Sequence, residues 1–342
     1  MPITIKDIAR KLNISIAAVS RALDGYPDIS PETRRRVEET ARAMGYVPNR
    51  AARQLRRKRS DTLGFILPVS APRFADPFYS EFIEGLGDET AAQGFDLLIT
   101  TAAPETDAEQ STYRSWVQSN KVDGVVLNRV RLRDWRVQFL AENQIPFAGL
   151  ELSQDGVTYP HVTTESRAAF RGLVQHLAQA GFSRLAYIGG WPESLIQHER
   201  QAGFVAGVLQ SGLELRPEWL ATADFTSEGG YLAAMNLLNL TERPDALLCI
   251  TDETAFGALR AAQEQGLTPG REVSVTGFDG VRESRYTNPP LTTLDVPVYE
   301  IACTLVRLLC TRMKNEPLME QRIVFPPRLL VRPSSGGQAF TP

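Results

Sequence analysis

Cysteine is scarce in this chain: three in 342 residues, Cys249, Cys303 and Cys310, far apart and set in apolar stretches. That distribution lacks the close pairs of a structural metal site or a disulfide framework, and it points to buried, reduced thiols. Histidine is equally sparse. His161, His176 and His198 fall on separate segments with neither metal nor catalytic spacing, so no metal and no cofactor is expected. No stretch offers the roughly 18–20 uninterrupted apolar residues of a membrane span. The start of the chain carries Asp7, Arg10 and Lys11 and no apolar signal core, so the expectation is a cytoplasmic protein with no membrane partner. A nucleophile elbow, a phosphate loop and a dinucleotide glycine fingerprint are also missing, which removes the commonest enzyme classes. A sugar-processing enzyme stays as a distant alternative, because the paired carboxylates of glycoside hydrolysis have no recognisable spacing.

Hydrophobic residues make up 43% of the chain, with ordinary charge, glycine and proline content, which describes a soluble globular protein with room for two or three compact units. Charge is unevenly placed. The first sixty residues carry 14 Lys and Arg against 6 Asp and Glu, and the remainder carries 23 against 34. A basic head on an acidic body suggests a polyanionic partner for the head alone, with a merely solvated basic face as the alternative.

The head reads as three helices. "TIKDIARKL" (4–12) opens on a capping box, Thr4 with Asp7, and repeats Ile5, Ile8, Ala9 and Leu12 at helical spacing. After a break at "NIS" (13–15), Ser15 caps a second helix whose Val19, Ala22 and Leu23 face inward. "SPETRRRVEETARAMG" (30–45) is a third, with Ser30 as cap, Pro31 in the first turn, Val37, Ala41 and Met44 as the buried stripe and Gly45 as the stop. Two short helices joined by about three residues and braced by a third form a helix-turn-helix, whose second helix enters the DNA major groove. The stretch "SIAAVSRALDG" (15–25) then places Ser15, Ile16, Ala17, Ser20 and Arg21 at the DNA. Ile and Ala can touch a thymine methyl, and Arg can donate two hydrogen bonds to guanine. The alternative for Arg21 is that it neutralises a phosphate.

The run "IKDIARKLNISIAAVSRALDG…ISPETRRRVEETARAMGYVPNRAARQLRRKRSDTLG" resembles the lac repressor family of transcription regulators, through DIA, VSRAL, the T-R-x-x-V helix, GY-x-PN and A-R-x-L. The resemblance implies that positions 16, 17 and 21 read an operator. Small apolar Ile16 and Ala17 stand where polar readers are common, so the half-site cannot be copied from a relative. It further implies that "PNRAARQLRRKRS" (48–60) is a hinge helix formed on DNA. Leu55 falls on the leucine that wedges between central base pairs, and Asn49, Arg50 and Arg53 on residues that hold backbone or groove. A flexible basic linker in the free protein is the compatible alternative. Two heads in a homodimer imply a pseudo-palindromic operator on double-stranded DNA.

From residue 62 short apolar runs alternate with amphipathic segments closed by glycine. The runs lie at 62–69, 95–102, 122–128, 145–152, 184–190, 245–251 and 272–278, the pattern of βαβ units around parallel sheets. Ligands in such folds bind beyond the carboxyl ends of strands. Asp76, Arg129, Thr251–Asp252 and Asp279 all follow apolar runs, and carboxylates, an Arg fork and an aromatic face together suit a sugar. Each such Asp has capping of the next helix as its alternative, Asp252 in particular. Trp116 and Trp135 read as packing residues. Trp191, after "IGG", either packs or borders a cleft.

The resemblance continues to about residue 334, through R-x-x-G-F in "HERQAGF", "TDETAFGALRAAQEQGLTPGREVSVTGFDG" and "PPLTTLDVP". It implies a body like that of periplasmic sugar-binding proteins, with three crossing strands and a cleft. Arg200 and Asp279 fall on the family's effector-binding positions and Phe225 where an aromatic covers the sugar ring. Asp76, Phe78, Arg129 and Glu151 would line the opposite lobe. Thr251, Gly280, Val296 and "TTES" (163–166) depart from the usual residues, so no single relative's ligand is transferred. The expected effector is a sugar, with a purine-like or phosphorylated co-repressor as the alternative.

The expected architecture is therefore an all-α helix-turn-helix head (1–47), a hinge (48–61) and an α/β effector and dimerisation body (62–334) of two doubly wound parallel-sheet lobes. The first lobe takes about 62–161 plus 292–323, the second about 162–291 plus 324–334. A short tail (335–342) lacks the apolar heptads of a tetramer seam. The expected function is an effector-controlled transcription regulator, a repressor rather than an enzyme or a transport protein.

Overall fold

The structure, a computed structural model, describes residues 3–46, 59–69, 76–314, 316–317 and 319–337. It divides into two compact units, residues 1–60 and 61–342.

In the first unit α1 (Ile5–Leu12), α2 (Ile16–Leu23) and α3 (Pro31–Ala43) form the expected helix-turn-helix. Their ends are set by short polar side chains. Thr4 donates to Asp7 Oδ2 from its hydroxyl at 2.7 Å and from its N–H at 3.0 Å. Asn13 turns the chain at a φ of 53°, a left-handed conformation that asparagine tolerates. Ser15 Oγ accepts from Ala18 N–H at 3.0 Å, and Ser30 Oγ from Thr33 N–H at 3.2 Å. The three helices bury Ile8, Ala9, Val19, Ala22, Val37 and Ala41 against one another. Each fully buried Ile or Val contributes about 1.5–3 kcal/mol, so this small core rests on a few side chains.

The second unit alternates strands and helices. In chain order they are β1 (Thr62–Pro68), α4 (Pro77–Ala92), β2 (Asp96–Ala102), α5 (Asp107–Gln118), β3 (Gly124–Leu127), α6 (Trp135–Glu142), β4 (Phe147–Leu150), β5 (His161–Thr163) and α7 (Ser166–Gln179). There follow β6 (Leu185–Gly189), α8 (Leu195–Gln210), β7 (Leu220–Thr222), α9 (Ser227–Leu238), β8 (Ala246–Cys249), α10 (Asp252–Glu264), β9 (Ser274–Asp279), β10 (Thr292–Asp295), α11 (Val298–Met313), β11 (Arg322–Val324) and β12 (Arg328–Leu330). They build two six-stranded sheets, ordered β11-β5-β4-β3-β1-β2 and β12-β10-β9-β8-β6-β7. Among the described residues all strand pairs are parallel except β10 with β12. Near-continuous apolar strands such as β3 and β8, buried along their whole length, fit sheets covered on both faces by helices.

The chain changes sheet three times, after β5, β10 and β11. Thr292–Asp295 pairs with β9, so β10 belongs to the second sheet, and the return to the first lobe falls after Asp295 rather than at 292. Likewise β5 reaches Thr163 and β11 reaches Val324 inside the first sheet. Pairing with the sheet behind them keeps these short strands with their neighbours until the chain crosses. A single buried cluster, with Leu63, Phe65 and Val126 from one lobe and Phe170, Tyr187 and Phe278 from the other, runs through the crossover region. The strand order places a topological switch point beside β1 and β3 in one sheet and beside β6 and β8 in the other, where open α/β sheets leave a crevice.

Candidate functional site

The head presents one recognition face. Ser15, Ile16, Ala17 and Arg21 are exposed along α2, while Val19 and Ala22 on its other side are buried. Ile16 is 46% exposed. Ser15 is occupied as the helix cap, and Ser20 Oγ donates to Asp24 Oδ2 at 3.4 Å. Arg21 pairs with Asp28 at 2.5 Å and lies 5.3 Å from the Tyr26 ring centroid. Asn49, Arg50, Arg53 and Leu55 lie outside the described residues.

In the body, the switch points supply a cleft between the lobes, with about 550 Å³ of space unoccupied by atoms, part of it open solvent. Seven of the eight expected residues line it: Asp76, Phe78, Arg129, Glu151, Arg200, Phe225 and Asp279. Asp76 is also the cap of α4, accepting from Phe78 N–H at 3.0 Å, so the capping role and the cleft position coexist. Its other oxygen faces Arg129 Nη2 at 3.5 Å. Arg129 Nε donates to the Tyr79 hydroxyl at 2.8 Å, and its guanidinium carbon lies 3.9 Å from the Phe225 ring centroid. Trp191 meets Phe225 edge-on at 5.1 Å, completing an aromatic enclosure around that guanidinium. Gly190 is required at the tip of the Phe225 ring, since a methyl group there would run into it. The Arg129 guanidinium covers one face of Phe225, and a ligand reaches that face only when Arg129 swings away.

Across the cleft Arg200 is buried. It donates to the Ile250 carbonyl, stacks 3.5 Å from the Phe278 ring centroid and approaches Asp279 Oδ1 at 3.8 Å. Burial pushes the Asp279 carboxyl up to about 7, against the pull of Arg200. Burial likewise raises Asp76, countered by Arg129. Glu151 accepts from the N–H and hydroxyl of Thr164 at 3.0 and 3.2 Å, which aims one carboxylate oxygen and ties it to the crossing segment.

Backbone strain is concentrated here. Arg129, Glu151, Phe225 and Asp279 have φ of 47°, 77°, 67° and 116°. Non-glycine residues in this region cost on the order of 1–3 kcal/mol each and gather at ligand sites. Asn128, at the end of β3, adds a buried side-chain amide whose Nδ2 has no hydrogen-bond partner among the described residues.

Asp252 is the exception. It is fully buried away from the cleft, accepting from Thr293 Oγ1 at 2.6 Å and Val281 N–H at 2.9 Å. The capping role falls to its neighbour Thr251, which accepts from Thr254 N–H and lines the cleft. Tyr79, Asn128, Ile196 and Phe278 line the cleft without having been singled out, and so does Thr164 of the "TTES" departure. Tyr79 follows the Asp76 cap by three residues, the one spacing that signals its place on the same helix face. Among the described residues no helix is long and apolar enough to cross a membrane, and no cluster of His, Cys, Asp and Glu fits a metal.

Over 336 residues the chain is 30% identical to catabolite control protein A of Priestia megaterium, an alignment covering 98% of this chain and 100% of that one. It is 32% identical over 332 residues to the HTH-type transcriptional repressor CytR of Escherichia coli (strain K12), covering 97% and 96%. The chain belongs to the lacI family of bacterial regulatory proteins. Residues 4–49 match that family's own domain, and residues 174–335 match a periplasmic binding protein-like domain. A transcriptional regulator CelR–cellobiose complex superposes with a TM-score of 0.74 at 27% identity, covering 97% of this chain and 99% of that one. The lac repressor dimer bound to operator and the anti-inducer ONPF shares the fold, with a TM-score of 0.82 at 24% identity and coverage of 98% and 99%. This lacI-family chain is a DNA-binding transcription regulator, and the enzyme alternative falls.

Proposed function

We propose that this lacI-family regulator is a cytoplasmic repressor, acting as a homodimer on a pseudo-palindromic operator and controlled by a sugar held between its lobes. The observation that carries the effector reading is the cleft itself, where charged side chains from both lobes converge on aromatic rings at strained backbone positions. Sugars need polar groups at ring edges and apolar contact at ring faces, and this lining supplies both. The similar CelR structure contains cellobiose, which supports the same class. A phosphorylated effector fits less well, because three carboxyl groups, Asp76, Glu151 and Asp279, outnumber the two arginines.

In this reading Arg200, Asp279 and Phe225 hold the ligand from the second lobe, and Asp76, Phe78, Arg129 and Glu151 from the first. Ile16, Ala17 and Arg21 read base edges, with Ser15 and Ser20 beside them, and Asn49, Arg50, Arg53 and Leu55 form the hinge contacts. The head spans 1–47, the hinge 48–61 and the body 62–334. Control requires that the sugar bind the DNA-competent and incompetent shapes with different affinity. A ligand touching both lobes discriminates between arrangements that a one-lobe ligand cannot tell apart.

The test is a thermal-shift screen of the full chain against monosaccharides, disaccharides, sugar phosphates and purines, followed by operator binding with each hit. A ligand at a hundredfold its Kd adds about 2.7 kcal/mol, a visible rise in Tm. A rise with sugars and a change in operator affinity is the expected result. A rise with purines or sugar phosphates alone overturns the sugar reading.

A further inference from the structure

Beside the cleft lies a second compartment, about 610 Å³ of space unoccupied by atoms with part of it open solvent. Arg129 lines both. The second compartment also draws on both lobes: Pro68, Glu105 and Arg131 from the first, Trp191, Glu193 and Ser194 from the second. The lobes are stitched together here. Leu132 N–H donates to the Glu193 carbonyl and Leu195 N–H to the Val130 carbonyl, each at 3.0 Å, which sets Arg131 and Ser194 opposite each other as an antiparallel bridge.

Both bridge residues carry unused hydrogen-bonding capacity. Ser194 is 3% exposed, and among the described residues its hydroxyl has no partner even though the residue precedes α8, where a serine usually caps. Arg131 is 5% exposed and its Nη1 makes no hydrogen bond among the described residues, the Asp134 carboxylate standing 3.8 Å off. Buried polar groups are normally satisfied, so two orphans on residues that line one compartment point to a ligand that completes them. Charge narrows the class. Arg131 is already engaged by Glu105 at 2.5 Å and Glu109 at 2.7 Å, and Arg136 by Asp134 at 2.6 Å. An added phosphate or carboxylate would meet Glu105 and Glu193 at the rim, whereas neutral hydroxyls satisfy donors and acceptors alike. Trp191 supplies the aromatic surface that a sugar ring uses.

We infer that the effector site continues past Arg129 into this compartment and that the effector is an oligosaccharide of at least two rings. One ring occupies the inner cleft, and the next lies against Trp191, Arg131 and Ser194. This rests on the sugar reading above and extends it from class to length. The bridge fixes the spacing of Arg131 and Ser194 across the lobes, so the second ring also favours the bridged arrangement over one in which the lobes part.

The test is isothermal titration of the full chain with glucose, galactose and fructose against maltose, cellobiose, lactose, sucrose, trehalose and melibiose. At least one disaccharide is expected to bind about tenfold more tightly than either of its component sugars, the size of effect a well-placed aromatic anchor gives. Ser194→Ala removes a hydroxyl that has no partner. It should leave the Tm of the free protein unchanged and weaken the disaccharide about fivefold, the worth of one hydrogen bond. Trp191→Ala should weaken the disaccharide about tenfold. Ser194→Ala should leave binding of the single rings unaltered, whereas Trp191, which also packs on Phe225 and Arg129, is read by the ratio of disaccharide to single-ring affinity. Single rings binding as tightly as disaccharides, or both variants leaving the ratio unchanged, overturns the second compartment while the sugar reading survives. Failure of every sugar of both lengths overturns both.

Discussion

Arg21 in the head and Arg200 in the body each stand beside a carboxylate and against an aromatic ring, and the two are held in opposite ways. Arg21 and its partner Asp28 are 50% and 47% exposed; Arg200 and its partner Asp279 are 5% and 8% exposed. Exposed pairs contribute under about 1 kcal/mol and open readily. A buried pair is costly to break, because removing one partner strands the other's charge. The head keeps its recognition groups loosely parked on a small finished core, free to turn toward DNA. The body builds its recognition groups into the fold. Substitutions in the cleft should therefore register as stability as well as binding, and those on the reading helix as recognition alone.

The largest effect should come from Arg200→Ala. It leaves the Ile250 carbonyl without its donor and the Phe278 face uncovered, and above about pH 7, where Asp279 ionises, it removes that carboxylate's counter-charge. A loss of about 3–5 kcal/mol is expected, read as a Tm lower by roughly 10 °C. An unchanged Tm would show that the cleft, like the head, carries its arginine loosely.

Next in size is the pH dependence of Asp279. In the unfolded chain its carboxyl titrates near the ordinary 3.8, and in the fold near 7, raised by burial. The folded state thus holds a proton that the unfolded state has already released. This contribution to stability is complete below about pH 4 and is lost as pH rises toward and through 7. Between pH 5 and 7 the loss is about 2–3 kcal/mol. Asp279→Asn should flatten that fall and be the more stable form at pH 8, by comparison of denaturant midpoints. Parallel pH profiles for the two proteins would remove Asp279 as the source.

Arg21→Ala should cost about 1–3 kcal/mol of discrimination between operator and competitor DNA while the Tm stays within a degree or so. A uniform loss of affinity across sequences, with the salt dependence lowered by about one unit, would make Arg21 a phosphate contact instead.

The elements that sequence alone made legible share a physical reason. The head was readable because its caps, Thr4, Ser15 and Ser30, coincide with periodic apolar stripes, and both signals gave the same boundaries. The long buried strands were readable as apolar runs, whereas β5, β7, β11 and β12 span three residues each, too few for a period to show. At the cleft, charge after a strand was a good guide wherever the strand ends at a switch point. It misled at Asp252, because whether a carboxylate turns to the cleft or inward depends on Thr293 and Val281, brought to it only by folding. Asn128 escaped notice, and the role of Thr164 within "TTES" stayed unread, for a related reason. Nothing local distinguishes an unpartnered amide, or a threonine that aims Glu151 from thirteen residues away.

The smallest effect tests whether the head's loose parking matters at all. In the free protein Arg21 is shared between Asp28 and the Tyr26 ring, and reading a base requires that it leave both. Asp28→Asn removes half of that competition. Stability should change by less than about 0.5 kcal/mol, as for most exposed pairs, and operator affinity should rise about two- to fivefold. The substitution also deletes a negative charge from a surface that approaches a polyanion, and that alone would strengthen binding. The two causes separate by sequence. Release of Arg21 improves the operator and leaves random DNA unchanged, whereas loss of a repulsive charge improves both and fades as salt is raised. A gain confined to the operator and retained at high salt would show that the exposed pair in the head restrains recognition without supporting the fold.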